Sequence, residues 1–188
     1  SIPRIDVATM TVDRLDLGAP LAGTPATLVL RGNAHLRSLS DMIIDASAQR
    51  INGEGKYELQ LKFDSRRMDA ALTLHEPAGG PLENLLGLPG LGALAATLNL
   101  HGPHAAERLD LAVDAGAVRG RAQGMFNMTG LSADLDFSLD SAALVLRPGL
   151  AWQRASAHGR WHGSIKAPTA DVHVEAVQLR LPGDTLLA

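Results

Sequence analysis

The chain has 188 residues and a formal net charge of −3, with 17 basic and 20 acidic residues interspersed along it, a balance that argues against the basic patch of a nucleic-acid-binding protein. Cysteine is absent, which excludes a disulfide framework, a thiolate metal site and a cysteine nucleophile. Hydrophobic residues make up 46% but aromatics only 3%, so the apolar content is Leu, Ala and Val, which gives smooth faces without large anchors.

The first element is RIDVATMTVDRLDLG, residues 4–18. Its apolar residues come in pairs, Ile5 and Val7, Met10 and Val12, Leu15 and Leu17, at spacings of two, three, two, three, two. At about 100° per residue these six positions form no single helical stripe. Val7, Thr9, Thr11 and Val12 are β-branched and favour a strand. One dry face then requires two register changes, near Ala8–Thr9 and Asp13–Arg14. An extra residue that resets the face is a β-bulge, which twists and bends the strand. The expectation is a long strand, bent twice, with all six apolar residues on its concave side.

Period-two alternation marks further strands along the chain. Tyr57, Leu59, Leu61 and Phe63 alternate with polar residues, and Met68, Ala70, Leu72 and Leu74 follow. Leu109, Leu111 and Val113 come next, then Val118, Ala122, Phe126 and Met128 with Gly120 and Gly124 between them. Leu131, Ala133, Leu135, Phe137 and Leu139 form the cleanest run. Weaker segments are 26–36, 42–48, 94–100, 142–146 and 161–165. Near the end, Val172, Val174, Val177, Leu179 and Leu181 repeat the grammar of the opening, with one slip expected at Glu175–Ala176. Asn52-Gly53, Pro103-His104, Pro148-Gly149 and Pro182-Gly183-Asp184 are turn signals. The count is about thirteen strands, which side by side at ~4.8 Å span on the order of 60 Å. One segment departs from the pattern: Leu82, Leu85 and Leu86 stand at helical spacing after Pro81, and Pro89-Gly90 ends the run. A short helix is expected near residues 80–88, as a plug over the sheet or a packed corner.

No stretch approaches the ~20 apolar residues of a membrane-spanning helix, and no signal peptide is visible. The start Ser1-Ile2-Pro3, without Met, and the end at Leu187-Ala188 read as a segment of a longer protein, with residues 1–188 as a single domain.

Catalytic chemistry finds no constellation. His101 and His104 flank Gly102-Pro103, which is turn chemistry, and they read as surface histidines. His158 and His162 flank Trp161 across glycines, and His173 alternates with valines and points to solvent. None has metal-site spacing. The carboxylates Asp110, Asp134, Asp136 and Asp171 lie on polar strand faces. No GxSxG elbow occurs, and the Gly-rich GLPGLG lacks the Lys of a P-loop. The reading is a non-enzyme with no metal and no cofactor.

An apolar face on nearly every strand must be hidden, because each exposed Leu or Phe forgoes roughly 1.5–3 kcal/mol. A sandwich, a closed barrel or a sheet curled around an apolar ligand would hide it. A membrane barrel needs aromatic girdles, which 3% aromatics do not supply. A Leu/Val/Ala face suits long acyl chains, and the fold class expected is all-β: a long, curved, antiparallel-type sheet curled into a hydrophobic groove.

The segments IDVATMTVDRLDLGAPLAGTPATLVLRGNAHL, EPAGGPLENLLGLPGLGALAATLNL and GRWHGSIKAPTADVHVEAVQLRLPG carry a resemblance to the TamB family of the AsmA-like group. The likeness covers most of the chain and rests on degenerate patterns. It implies a periplasmic β-sheet folded like a taco shell, in a parent anchored in the bacterial inner membrane by an N-terminal segment that this chain lacks. It further implies a groove that conducts phospholipid toward the outer membrane, and a role in autotransporter assembly with an outer-membrane barrel partner of the TamA type. The groove residues expected are Val7, Val12, Leu15, Tyr57, Leu59, Leu61, Phe63, Leu72, Leu74, Leu109, Leu111, Leu135, Phe137, Leu139 and Leu179. Two alternatives stand beside the conduit: a module that holds nascent β-strands for the barrel partner, and a structural β-domain with a closed core.

Overall fold

The computed structural model describes residues 5–19, 23, 25–38, 40–85, 92–147, 150–164, 166–181 and 185–187. It is 77% strand and 3% helix. The strands are β1 (Ile5–Leu17), β2 (Ala26–Ser38), β3 (Asp41–Arg50), β4 (Lys56–Phe63), β5 (Arg67–Glu76), β6 (Leu94–Pro103), β7 (Glu107–Ala115), β8 (Val118–Asn127) and β9 (Ser132–Ser141). They continue as β10 (Leu144–Arg147), β11 (Leu150–Trp152), β12 (Arg154–Ser164), β13 (Ala167–Val177), β14 (Leu179–Leu181) and β15 (Thr185–Leu187), and the helix α1 (Pro81–Leu85) lies between β5 and β6.

Eleven strands form one antiparallel sheet in the order β1 to β9, then β12 and β13. At ~4.8 Å per strand it is about 50 Å wide. β1 and β13 are its edges, and the sheet is not closed into a barrel. A second sheet has the order β10-β11-β14-β15. β10 continues β9, β11 leads into β12 and β14 continues β13. The order β10-β11-β14 therefore repeats β9-β12-β13, and the small sheet prolongs one corner of the large one. Gln178 marks the break with a φ of 51°. The main sheet is thus narrower than the ~60 Å expected from thirteen strands, because the extra strands are three- and four-residue pieces of this corner.

The opening strand behaves as its spacing requires. Val7 pairs with Ala34 and Met10 with Gly32, so Ala8 and Thr9 together face one residue of β2. Val12 pairs with Leu30 and Leu15 with Leu28, so Asp13 and Arg14 do the same. Both two-against-one steps are bulges, and they leave Ile5, Val7, Met10, Val12, Leu15 and Leu17 opposite the even residues of β2. The expected slip at Glu175–Ala176 does not occur. β12 and β13 pair without interruption from Ser164↔Ala167 to Arg154↔Val177, so Val177 falls on the polar register and the break comes at Gln178.

Glycines in mid-strand show where the neighbouring backbone comes too close for a side chain. A Cβ on Gly32 would sit 2.7 Å from the Asp45 carbonyl oxygen of the neighbouring strand. On Gly124 it would collide with the Asp134 carbonyl, and on Gly159 with the Asp171 carbonyl. Glycine in a strand interior marks close backbone approach or a bend. All three stand in the apolar register, the side that becomes crowded when a strand curls toward it.

The helix starts at Pro81 as its missing N–H predicts. Leu86, the stop at Pro89-Gly90, the turns at Pro148-Gly149 and Pro182-Gly183-Asp184, and Ile165 lie outside the described residues. Between β1 and β2 the Gly23 N–H donates to the Ala19 carbonyl at 2.8 Å.

Gly124→Ala is expected to lower the unfolding free energy in urea by about 2 kcal/mol or more, through backbone collision and strain at a φ of 151°. Gly120→Ala meets nothing closer than Leu139 Cδ1 at 3.6 Å and is expected to change it by less than about 1 kcal/mol.

Candidate functional site

Because the β1 bulges restore the phase and the shift between Leu36 and Ser38 falls at the end of the β2–β3 hairpin, side chains line up across all eleven strands. One row, from edge to edge, is Met10, Gly32, Ala46, Leu59, Leu72, Leu98, Leu111, Ala122, Phe137, Gly159 and Val172. Two residues along the strands on one side, a second row starts at Val12 and ends at Val174. On the other side a third starts at Val7 and ends at Ala170. Each has eleven members, and no charged residue occurs in any of the three. The intervening rows face the other side and carry the charges: Asp45 beside Gln60, Asn99 beside Asp110, Gln123 beside Asp136, Arg160 beside Asp171. On that polar face Arg160 makes a bidentate contact with Asp134, both bonds 2.7 Å. The guanidinium holds the Asp134 carboxyl below the usual range, and both groups are too exposed for the pair to add much stability.

No second layer covers the apolar face among the described residues. Among the described residues the buried hydrophobic ones are Ala26, Leu94, Leu100 and Ala115. Leu59 is 36% exposed, Leu139 43% and Val172 51%, in rows that a sandwich would bury. The chain exposes 11854 Å², against about 8,600 Å² expected for a compact protein of this mass. Two open hollows of about 460 and 370 Å³ lie on the polar side, between Asp45, Gln60, Lys62 and His101, and between Thr73, Thr97, Asp114 and Arg121. Among the described residues no group of three His, Asp or Glu is placed to hold a metal ion.

Two glutamates interrupt the apolar register, one at each end of the strands. Glu76 stands opposite Leu94, and Glu107 opposite Phe126. Both are fully buried, where an unpaired carboxylate would cost several kcal/mol. Glu76 accepts the Tyr57 hydroxyl proton and, at 2.8 Å, the Leu82 N–H in the first turn of α1. Burial, then the Glu76 carboxylate, pushes the Tyr57 phenol above its ordinary range. The helix is therefore moored at the sheet end, with Glu83 accepting the Gly92 N–H at 2.9 Å and Leu85 half exposed. At the other end Glu107 accepts the Met128 N–H at 3.2 Å and faces His104 Nδ1 at 3.1 Å. His104 Nε2 donates to the Asp64 carbonyl at 2.7 Å, and Phe63 packs on the ring with centroids 4.9 Å apart. His104 is thus a clasp joining the β4–β5, β6–β7 and β8–β9 turns. The expectation of surface turn histidines holds in part for each: His101 is exposed but stands within β6, paired with Asp69 and Arg108, and His104 is in the turn but is half-buried and bonded.

Fourteen of the fifteen expected groove residues share the apolar face: Val7, Val12, Leu15, Tyr57, Leu59, Leu61, Phe63, Leu72, Leu74, Leu109, Leu111, Leu135, Phe137 and Leu139. Leu179 does not join them. It pairs with Leu187 in the small sheet. The face also includes Leu30, Ile44, Leu98, Leu100 and Trp161, from segments that read weakly because consecutive apolar residues such as Leu28-Val29-Leu30 blur the alternation.

The Asp64 carbonyl, then the Glu107 carboxylate, holds the His104 imidazole above its ordinary 6.5. That stabilisation is whole below pH 6.5 and is lost as pH rises through the folded-state value. Asp64 is held below its ordinary 3.8 by the Arg66 and Arg67 N–H groups. Its contribution is present above pH 3.8 and lost as pH falls through the lowered value. Urea unfolding is therefore expected to give a stability that declines on the alkaline side of pH 6.5, and His104→Ala is expected to flatten that decline.

The chain matches no protein-family model, no curated protein and no solved structure.

Proposed function

We propose that this chain is a section of a periplasmic conduit that carries phospholipid along the apolar face of its sheet, from the inner toward the outer membrane. The observation that carries this reading is the set of three uncharged rows, each crossing eleven strands, on a face that the described residues leave uncovered.

The mechanism is passive and needs no catalytic group. Each acyl methylene removed from water contributes about 0.8 kcal/mol, and the contact has no direction. A chain moving across the strands exchanges one Leu, Val or Ala contact for another, and no charge or directional hydrogen bond along the rows traps it. Large aromatics are few, so the surface has no deep anchors. Bulges bend a strand, and with the mid-strand glycines they would let the strands curl toward this face, turning it into a trough with headgroups at the rim. The moored ends at Glu76 and Glu107 would set the sides of the trough, and transport would run perpendicular to the strands.

The TamB resemblance supplies the setting: a parent protein in the inner membrane, and an outer-membrane barrel partner of the TamA type whose assembly work the conduit supports. A closed-core domain is the competing reading, and it would need a covering layer over Leu59, Leu139 and their rows.

Leu135→Asp tests the proposal. The expected result is a loss of co-purifying phospholipid of about tenfold or more, with the sheet still folded by circular dichroism. Wholesale unfolding of the variant, or unchanged lipid content, would contradict it.

A further inference from the structure

We propose that His158 and His173 hold a divalent transition-metal ion of the copper(II), nickel(II) and zinc class on the polar face, where it would clip β12 to β13.

The two histidines are distant in sequence but stand directly opposite each other across β12 and β13. Their ring centroids are 5.0 Å apart and the rings are tilted by 46°. With a ring nitrogen about 1.2 Å from its ring centre and a metal–nitrogen bond of about 2.0–2.1 Å, two imidazoles on one ion at a bond angle of about 90–110° have centres roughly 4.6–5.3 Å apart. The observed separation falls inside that range without any movement of the strands. Both side chains are exposed, so water can complete the shell, and among the described residues no third protein ligand is placed with them.

His173 is oriented as a ligand would be. Its Nε2 lies 3.2 Å from a Glu175 carboxylate oxygen. An ionised carboxylate can only accept, so Nε2 carries the proton and Nδ1 keeps the lone pair that a metal needs. Metal-bound imidazoles as a rule donate their other N–H to such a group.

The surrounding charge favours a cation. On the same face, within two residues along each strand, stand Asp171 and Glu175 on β13, Asp136 and Asp140 on β9, and Ser156 and Arg160 on β12. Arg160 is committed to Asp134 by two bonds. Arg121 is one strand further away, opposite Ser138. The other histidines of this face have different company: His75 faces Lys56, His101 faces Arg108, His162 faces Asp134, and His35 Nδ1 lies 2.6 Å from Asp6. Imidazole ligands select copper, nickel and zinc, with copper(II) bound most tightly, whereas magnesium and calcium take oxygen shells.

Electron paramagnetic resonance of the chain with copper(II) tests the site. The expected spectrum shows two imidazole nitrogens on one tightly held ion, and one nitrogen in His158→Gln or His173→Gln. In titration calorimetry each of these substitutions is expected to weaken copper(II) binding by about tenfold or more, and Glu175→Ala by about tenfold. His101→Ala should leave it unchanged, and magnesium and calcium should not compete. One imidazole nitrogen or none in the spectrum of the unsubstituted chain would overturn the proposal without any variant. Equal weakening by His101→Ala, or affinity unchanged in both glutamine variants, would also overturn it and leave the pair as a cross-strand ring contact.

Discussion

The structure depends on one constraint: ten consecutive strand pairings that never slip a side chain to the wrong face. In an antiparallel pair a slip of one residue exchanges the two faces. Ten pairings held in phase turn short alternating segments into rows that cross the whole sheet. The departures are the two bulges of β1, each of which restores the phase, and a shift between Leu36 and Ser38 at the β2–β3 turn, outside the three rows. Without that phase the Leu and Val residues would be scattered over both faces. With it, the molecule has one face that water disfavours and one that it solvates.

A single layer cannot bury such a face by itself. Its stability comes from cross-strand pairs, from the sides of neighbouring Leu and Val residues, and from the ends, where the fully buried groups are. Glu76 ties α1 to the start of β4, and Glu107 with His104 ties three turns together. Both glutamates stand in the apolar register but beyond the three uncharged rows, so the polar staples hold the sheet without interrupting the face. The uncovered rows are the part of the surface where burial remains to be gained, and in the proposed function acyl chains would supply that burial without asking for directional contacts.

Much of this was legible in the sequence because period-two patterning reports register directly. The bulges at Ala8–Thr9 and Asp13–Arg14 followed from the five-residue rhythm, and the shared face of fourteen residues followed from alternation. The same rule failed at the other end of the chain. Val177 and Leu179 look like a shifted pair, but Gln178 ends the main sheet there, and Leu179 belongs to the corner sheet. A strand break made by one residue at positive φ leaves the same spacing as a bulge. The buried staples were not legible either. Glu76, Glu107 and His104 resemble ordinary polar residues at strand ends, and only pairings between distant turns give them partners. The width was overestimated because short strands were counted beside the long ones, where they in fact extend them.

The central claim is that the apolar rows meet lipid in place of protein. Photo-reactive residues at Leu135 and Phe137, compared with Asp136 and Ser138 on the opposite face of the same strand, test it most directly in cells. The account predicts phospholipid adducts from Leu135 and Phe137 and none above background from Asp136 and Ser138. Purely intramolecular adducts from Leu135 and Phe137, or equal lipid labelling from both faces, would contradict it.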